Sequence, residues 1–223
     1  GGHTRPGAAG HPPAVGGAVR AQVHAQGAGV YFLLPTSYFL LGAPYALKCM
    51  RKAQVVATKQ QSHVLNEKNI LAQMEHPFIL GLVATYQDAG ELYMLLELAL
   101  GGELFTHLRK AGKFTNDHTR FYAAQIVMAL QYLHNDSVVY RDLKPENLLL
   151  DSAGYCKIID FGFAKQVPFT QNGQICVKTY TICGTPDYLS PELIQSTGHD
   201  KSVDYWAFGC LVYVRIPVTV QIF

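Results

Sequence analysis

Tyr140-Arg141-Asp142-Leu143-Lys144-Pro145-Glu146-Asn147, followed eighteen positions after Asp142 by Asp160-Phe161-Gly162, is the stretch that decides how this chain is read. Between the two polar motifs, the short apolar segments 148–150 and 157–159 flank Asp151-Ser152-Ala153-Gly154. That pattern predicts a hairpin lying beside the motifs. Phosphoryl transfer needs a carboxylate to orient or deprotonate the attacking hydroxyl, a cation at the transferred group and oxygen ligands for magnesium, all on loops that meet at one point. Asp142, Lys144, Asn147 and Asp160 supply that set. Either motif alone is a weak signal, whereas the two in this order and at this separation are a strong one.

Upstream, the apolar runs 31–34, 45–50, 79–86 and 92–98 are separated by polar or Gly-containing turns and predict strands of one antiparallel sheet. Between the second and third runs, residues 57–74 carry Val64, Leu65, Leu71 and Met74 at helical spacing and stop before Pro77, which predicts one helix packed on that sheet. After Gly101-Gly102 the pattern turns helical. Residues 104–110 form a short helix, and Asn116 or Asp117 is expected to cap a long one reaching His134, with Phe121, Ala124, Ile126, Met128, Leu130 and Leu133 inward. The fold class is therefore α+β, with a small sheet lobe bearing one main helix and a larger, mostly helical lobe. The divisions are a flexible leader over 1–26, rich in Gly, Ala, Pro and His, a small lobe over 27–98 and a large lobe over 99–223.

Composition sets limits. With 223 residues, 49% of them hydrophobic and 15% charged, the chain can bury a substantial core. A net charge of +2 is too mild to argue for nucleic acid or a membrane surface. Cys49, Cys156, Cys176, Cys183 and Cys210 are odd in number, scattered and without a C-x-x-C pair, which disfavours a disulfide framework or a zinc site and fits a reducing, cytoplasmic setting. Residues 30–47 are the most apolar stretch, but Pro35, Thr36, Ser37, Gly42 and Pro44 interrupt them well short of a spanning helix. Nothing in these residues marks a secretory signal, and the sequence opens with Gly rather than Met, so residues before Gly1 are expected.

The motifs resemble those of eukaryotic Ser/Thr protein kinases, and further family parts can be matched residue by residue. Ala46-Leu47-Lys48 is similar to the strand whose lysine grips the α- and β-phosphates of ATP, with Glu67, nineteen residues later, as its ion-pair partner. The resemblance implies a hinge at Glu97-Leu98-Ala99, where backbone groups of Glu97 and Ala99 hold adenine, with Leu96 and Leu149 lining the nucleotide pocket. Residues 179–192, Thr179 to Glu192, are similar to the activation segment and docking loop of the AGC group. Thr181 is then the phosphosite, clamped by Arg141, Lys165 and His63, and Thr185 a substrate-side residue. Residues 204–209 resemble the start of the large lobe's central helix, whose Asp204 braces the catalytic loop, while Trp206 is expected in the core. Leu71, Leu82, Tyr140 and Phe161 match a stacked apolar column, and an ordinary core explains those four equally well.

From about Gly42 to Tyr213 the wording is close to cyclic-nucleotide-dependent kinases, first the cGMP-dependent type through residues 56–64, 93–97 and Gly198-His199-Asp200, with the cAMP-dependent catalytic subunit a near second. This likeness implies ATP and Mg²⁺ as cofactors, and protein substrates with basic residues upstream of the target Ser or Thr, read by Glu103 and Glu146. It also implies a cyclic-nucleotide-binding regulatory region outside this chain, with no nucleic acid and no membrane span. Two departures stand out. The glycine-rich loop has only Gly27-Ala28-Gly29-Val30-Tyr31-Phe32 as candidate, with Phe32 where a third glycine belongs, so phosphate grip and plain leader both stay open. Beyond Tyr213 the resemblance stops and Pro217 would break the central helix, so a C-terminally truncated or mis-spliced kinase is expected. A fragment that binds ATP or partner proteins without turnover is the alternative function. Residues 166–178 form a longer excursion than the family's, of unassigned role.

Overall fold

Apolar alternation in the first part of the chain forms a four-stranded antiparallel sheet in the computed structural model, which describes residues 32–40, 43–168 and 178–215. Its strands are β1 (Phe32–Leu40), β2 (Ala43–Arg51), β3 (Leu82–Gln87) and β4 (Glu91–Leu96), in the order β1-β2-β4-β3. Pro35, which cannot donate to a ladder, falls on the edge strand within the register shift between Leu34 and Tyr38. The β3–β4 turn is built by Asp88, whose Oδ1 accepts from the backbone of Gly90 at 2.8 Å and Glu91 at 2.7 Å, while Tyr93 Oη donates to Oδ2 at 2.8 Å.

The chain forms two compact units, one through Gln61 plus Leu82–Glu97, the other Ser62–Gly81 plus Leu98 onward. Within the range 57–74, where one helix is expected, lies α2 (Gln61–Leu71), and a short helix that the sequence did not announce, α1 (Lys52–Ala57), precedes it. Lys59, with φ +56°, breaks the run between them, a left-handed conformation that no α-helix continues. Leu65, expected inward, is 56% exposed. The strand expected over 79–86 is also divided. Leu80 donates to the Ile158 carbonyl at 3.0 Å and Ile158 to that of Phe78 at 2.9 Å, which commits this segment to the second unit, and β3 starts only at Leu82.

In the second unit, β5 (Gly102–Glu103) leads into α3 (Leu104–Ala111) and α4 (Asn116–Asn135). The N-cap of α4 is Thr115, one residue before the expected candidates. It alone has extended backbone (φ −70°, ψ 164°), and its hydroxyl accepts from His118 N at 3.2 Å, while Asp117 lies in the first turn, where its charge suits the helix dipole. The buried stripe is Gln125, Ile126, Ala129, Leu130, Leu133 and His134. Phe121, Ala124 and Met128, expected inward, form a second helically spaced stripe that faces solvent. Next come β6 (Val138–Val139), β7 (Leu148–Leu150), β8 (Cys156–Ile158) and β9 (Lys165–Gln166), then α5 (Pro191–Ile194) and α6 (Ser202–Arg215). β5-β7-β8 form one small sheet and β6-β9 another. Leu130, Leu133, Leu148, Ile158 and Phe161 are all fully buried. Trp206, expected in the core, is 47% exposed, because the buried face of α6 is that of Val203, Ala207 and Leu211. Among the described residues no helix is long and apolar enough to cross a membrane.

Candidate active site

The site is built on a loop pinned from below. Asp204, in the first turn of α6 and fully buried, accepts from Tyr140 N through Oδ2 at 2.9 Å and from Arg141 N through Oδ1 at 2.7 Å. His134, at the end of α4, adds a third contact, Nε2 to Oδ2 at 2.7 Å. Turning two successive amides onto one carboxylate requires Arg141 to adopt φ +67°. A non-glycine residue there costs on the order of 1–3 kcal/mol, which charge-assisted hydrogen bonds to a buried carboxylate can offset.

Above this brace, Asp142 is 4% exposed and its carboxylate is fully engaged. Thr185 Oγ1 donates to Oδ1 at 2.9 Å, Lys144 Nζ lies 3.0 Å from Oδ2, and Asn147 Nδ2 donates to Oδ2 and to the Asp142 carbonyl, both at 2.8 Å. Lys144 Nζ also donates to Thr185 Oγ1 at 2.9 Å, closing a ring of cation, hydroxyl and carboxylate. Burial pushes the Asp142 carboxyl above its usual range, opposed by the Lys144 charge and by the hydrogen bonds from Lys144, Thr185 and Asn147. Thr185 reaches the site through Gly184, whose φ is +107° and where a Cβ would lie 2.8 Å from the Arg141 carbonyl oxygen, a place only glycine fills without displacement.

The two sequence motifs meet through the β7–β8 hairpin. Asp151 Oδ1 accepts from Ala153 N at 2.8 Å and Tyr155 N at 2.9 Å, which closes its turn. At the open end, Ile159 N donates to the Asn147 carbonyl at 3.0 Å and Tyr140 Oη to the Ile159 carbonyl at 2.6 Å. Asp160, with φ +61°, follows at once and accepts from Gly162 N through Oδ1 at 3.2 Å. The buried Phe161 packs edge-on against Tyr140, ring centroids 5.2 Å apart. Asn66 on α2 holds the next residues by donating to the carbonyls of Ala164 at 2.6 Å and Phe161 at 3.2 Å.

The remaining expected residues divide between the units. Lys48, on β2 opposite Met94, is buried in the first unit, and Glu97 follows β4 there. Glu67, on α2, is buried in the second. Leu149 lies on β7 opposite Glu103 of β5, Ala99 is half-buried, and Glu146 keeps one buried carboxylate oxygen, Oε2, without a hydrogen-bond partner. Leu71, Tyr140 and Phe161 are buried in the second unit, and Leu82 belongs to the first. Gly27 and Gly29 lie outside the described residues, as does Pro217.

Of the three residues expected to clamp a phosphate on Thr181, Lys165 contacts Thr179, and Arg141 and His63 meet at Phe163. Arg141 Nε donates to the Phe163 carbonyl at 2.8 Å, and His63 packs edge-on against the Phe163 ring at 5.1 Å. Lys165 Nζ donates at 2.7 Å to Oγ1 of Thr179, which is buried, while Thr181 is exposed. Sequence reasoning gave no site role to Thr179, His134, Asn66 or His199. Thr179 and His199 stand in stretches matched to the family, but what each of the four does follows only from tertiary contact. Of the cysteines, Cys49, Cys156, Cys183 and Cys210 carry free thiols, and Cys176 lies outside the described residues.

Comparison with known proteins agrees with this geometry. The protein kinase domain family matches residues 40–218. The chain belongs to the protein kinase family. It is 54% identical over 172 residues to a cAMP-dependent protein kinase catalytic subunit of Dictyostelium discoideum, covering 77% of this chain and 25% of that protein. With a cGMP-dependent protein kinase of Drosophila melanogaster, isozyme 2 forms cD5/T2, it shares 51% identity over 175 residues, 78% of this chain and 18% of the relative. A cAMP-dependent protein kinase, catalytic subunit-like, of Caenorhabditis elegans is 50% identical over 174 residues, 78% and 42%. The kinase-family relatives are thus of the AGC, cyclic-nucleotide-dependent kind, the cAMP type as similar as the cGMP type. This chain spans less than half the length of each of these three.

Proposed function

We propose that this chain is catalytic kinase sequence that transfers the γ-phosphoryl group of ATP to Ser or Thr of proteins. The observation that carries the reading is the Asp142 carboxylate, buried and held at once by Thr185, Lys144 and Asn147 on a loop stitched to Asp160. In this reading Asp142 orients the substrate hydroxyl and takes its proton, a role its raised pKa suits. Lys144 neutralises charge on the phosphoryl in flight, and its contact with Thr185 fixes where that charge sits. Lys48, with Glu67 as its proposed ion-pair partner, grips the α- and β-phosphates, backbone groups of Glu97 and Ala99 hold adenine, and Leu149 lines its pocket.

Among the described residues no three His, Cys, Asp or Glu side chains gather as a metal cage. Magnesium bound with a nucleotide needs only one or two protein oxygens beside the phosphates. Asn147 spends its Nδ2 on Asp142, which leaves Oδ1 as its metal-ligating atom, and the Asp160 carboxylate supplies the second ligand. A magnesium ion held there by Asn147 and Asp160 would supply charge neutralisation for the transferred group.

The finer parts of the proposal rest on sequence matches. These are the division into leader 1–26, small lobe 27–98 and large lobe 99–223, phosphorylation of Thr181 against Arg141, Lys165 and His63, and recognition of upstream basic residues by Glu103 and Glu146. The lone buried Oε2 of Glu146 supports that last role, since it offers a guanidinium an acceptor. A cGMP-dependent type regulated from a region outside this chain rests on residues 56–64 and Gly198-His199-Asp200, and a cytoplasmic setting on the free thiols. Phe32 in place of a third loop glycine favours the second reading, a module that binds ATP or protein without turnover.

The test is phosphate incorporation from ATP and magnesium into an Arg-containing serine peptide by the full chain. Asp142→Ala is expected to lower the rate about a hundredfold to ten-thousandfold, and Lys48→Ala to abolish it likewise. Transfer that survives both substitutions rules out the assignment.

A further inference from the structure

The loop between α5 and α6 carries His199, 2% exposed and outside every role assigned above. Its backbone is paired on both sides with the activation segment. Thr179 N donates to the His199 carbonyl at 3.0 Å, and His199 N donates to the Thr179 carbonyl at 2.9 Å. The neighbouring Gly198, at φ +86°, is packed so closely that a Cβ there would lie 2.7 Å from the Tyr180 ring and 3.1 Å from Lys178 Cδ. The imidazole meanwhile faces inward, its Nε2 3.5 Å from Nη1 of Arg141. A guanidinium has no acceptor, so the nitrogen that faces it must be the lone-pair nitrogen of a neutral ring.

We infer that His199 is a positioning residue for the activation segment, its neutral imidazole accepting from Arg141 while its backbone holds Thr179, so that protonation of this one ring unfastens the segment. The consequence for kinase regulation rests on the reading of Thr181 as phosphosite and Arg141 and Lys165 as its clamp, whereas the positioning role itself does not.

The charges around the ring set the direction of the effect. Arg141 from the catalytic loop and Lys165 from β9 oppose a third cation, Glu192 from α5 and Asp200 from the same loop favour one, and burial opposes it most. The balance holds His199 below its ordinary value. With its pKa lower in the fold than in the unfolded chain, the stabilisation is complete above the ordinary histidine range. It is lost as pH falls from there toward the folded value, because the unfolded chain takes up the proton first. A phosphate on Thr181 would add two negative charges near Arg141 and Lys165 and make a protonated His199 tolerable. The clamp would then feel acid in its unphosphorylated form and resist it in its phosphorylated one.

Amide exchange of the unmodified full chain tests this without nucleotide or turnover, so a failure of phosphoryl transfer leaves it standing. Protection of residues 179–185 and 199–202 is measured relative to the 148–158 hairpin at about pH 7.5 and about pH 5. Relative protection is expected to fall on acidification. In His199→Gln, which accepts a hydrogen bond but does not titrate, it is expected to be independent of pH. A ratio that stays constant in the unmodified chain, or falls equally in His199→Gln, overturns the inference. Should His199→Gln fail to fold, the ring of His199 is followed by NMR in the unmodified chain. Titration below about 6.5 upholds the inference, and titration at or above that value overturns it.

Discussion

Asp142 illustrates how a single side chain takes on opposed duties. In the proposed role its carboxylate has to be ionised to accept a proton, yet burial disfavours the ionised form and three polar neighbours only partly restore it. The sign of the effect follows. A carboxyl whose pKa is raised by folding stabilises the chain most below the ordinary carboxylate value, and that contribution declines as pH rises through the folded value. Activity runs the other way, since only the ionised form serves as base. The acid limb of kcat/KM for peptide phosphorylation is therefore expected to have its midpoint above about 4, the value for free aspartate. A pH–rate profile checks it, and a midpoint at or below that of free aspartate contradicts the assigned role. The identity of Asp142, Lys144, Asn147 and Asp160 was readable from sequence because motif spacing carries it. That Lys165 meets Thr179 and not Thr181 was not, because no local pattern records which of two nearby hydroxyls lies inward.

At the scale of elements, α4 shows what periodicity can and cannot decide. Two stripes at helical spacing run along it, one through Ile126, Leu130 and Leu133, the other through Phe121, Ala124 and Met128, and sequence alone does not say which faces the core. The first is buried because β6, β8 and α6 pack against α4, and the second faces solvent. Leu133→Ala is accordingly expected to destabilise the chain by about 2–5 kcal/mol, whereas Met128→Ala, at a position 52% exposed, should fall within about 0.5 kcal/mol. Denaturant unfolding of the two variants decides, and equal losses would refute the assignment of faces. The β7–β8 hairpin was the most legible element, because a turn-forming Asp151 and Gly154 between two short strand segments leaves little choice of pairing. The α1–α2 break was the least so, since Lys59 is no glycine yet takes the left-handed place in a helix-end turn where its N donates to the Val56 carbonyl and Gln60 N to that of Val55.

For the molecule as a whole, kinase turnover and mere nucleotide binding give different signatures. If the chain binds ATP with magnesium, a ligand at about a hundredfold excess over Kd stabilises it by about 2.7 kcal/mol, or about 5–10 °C in Tm for a chain of this size. That shift together with peptide phosphorylation supports the enzyme. A shift without phosphorylation favours the binding module, and no shift argues against both. What the sequence by itself determined is the family, because the kinase motifs are particular side chains at fixed separations along the chain, and those separations survive in one dimension. The tertiary structure alone decided the contact of His134 with the bracing Asp204, the buried stripe of α4 and the pairing of His199 with the activation segment. Each of these joins residues far apart in sequence through burial and hydrogen bonding, and such contacts leave no spacing for a reader of sequence to find.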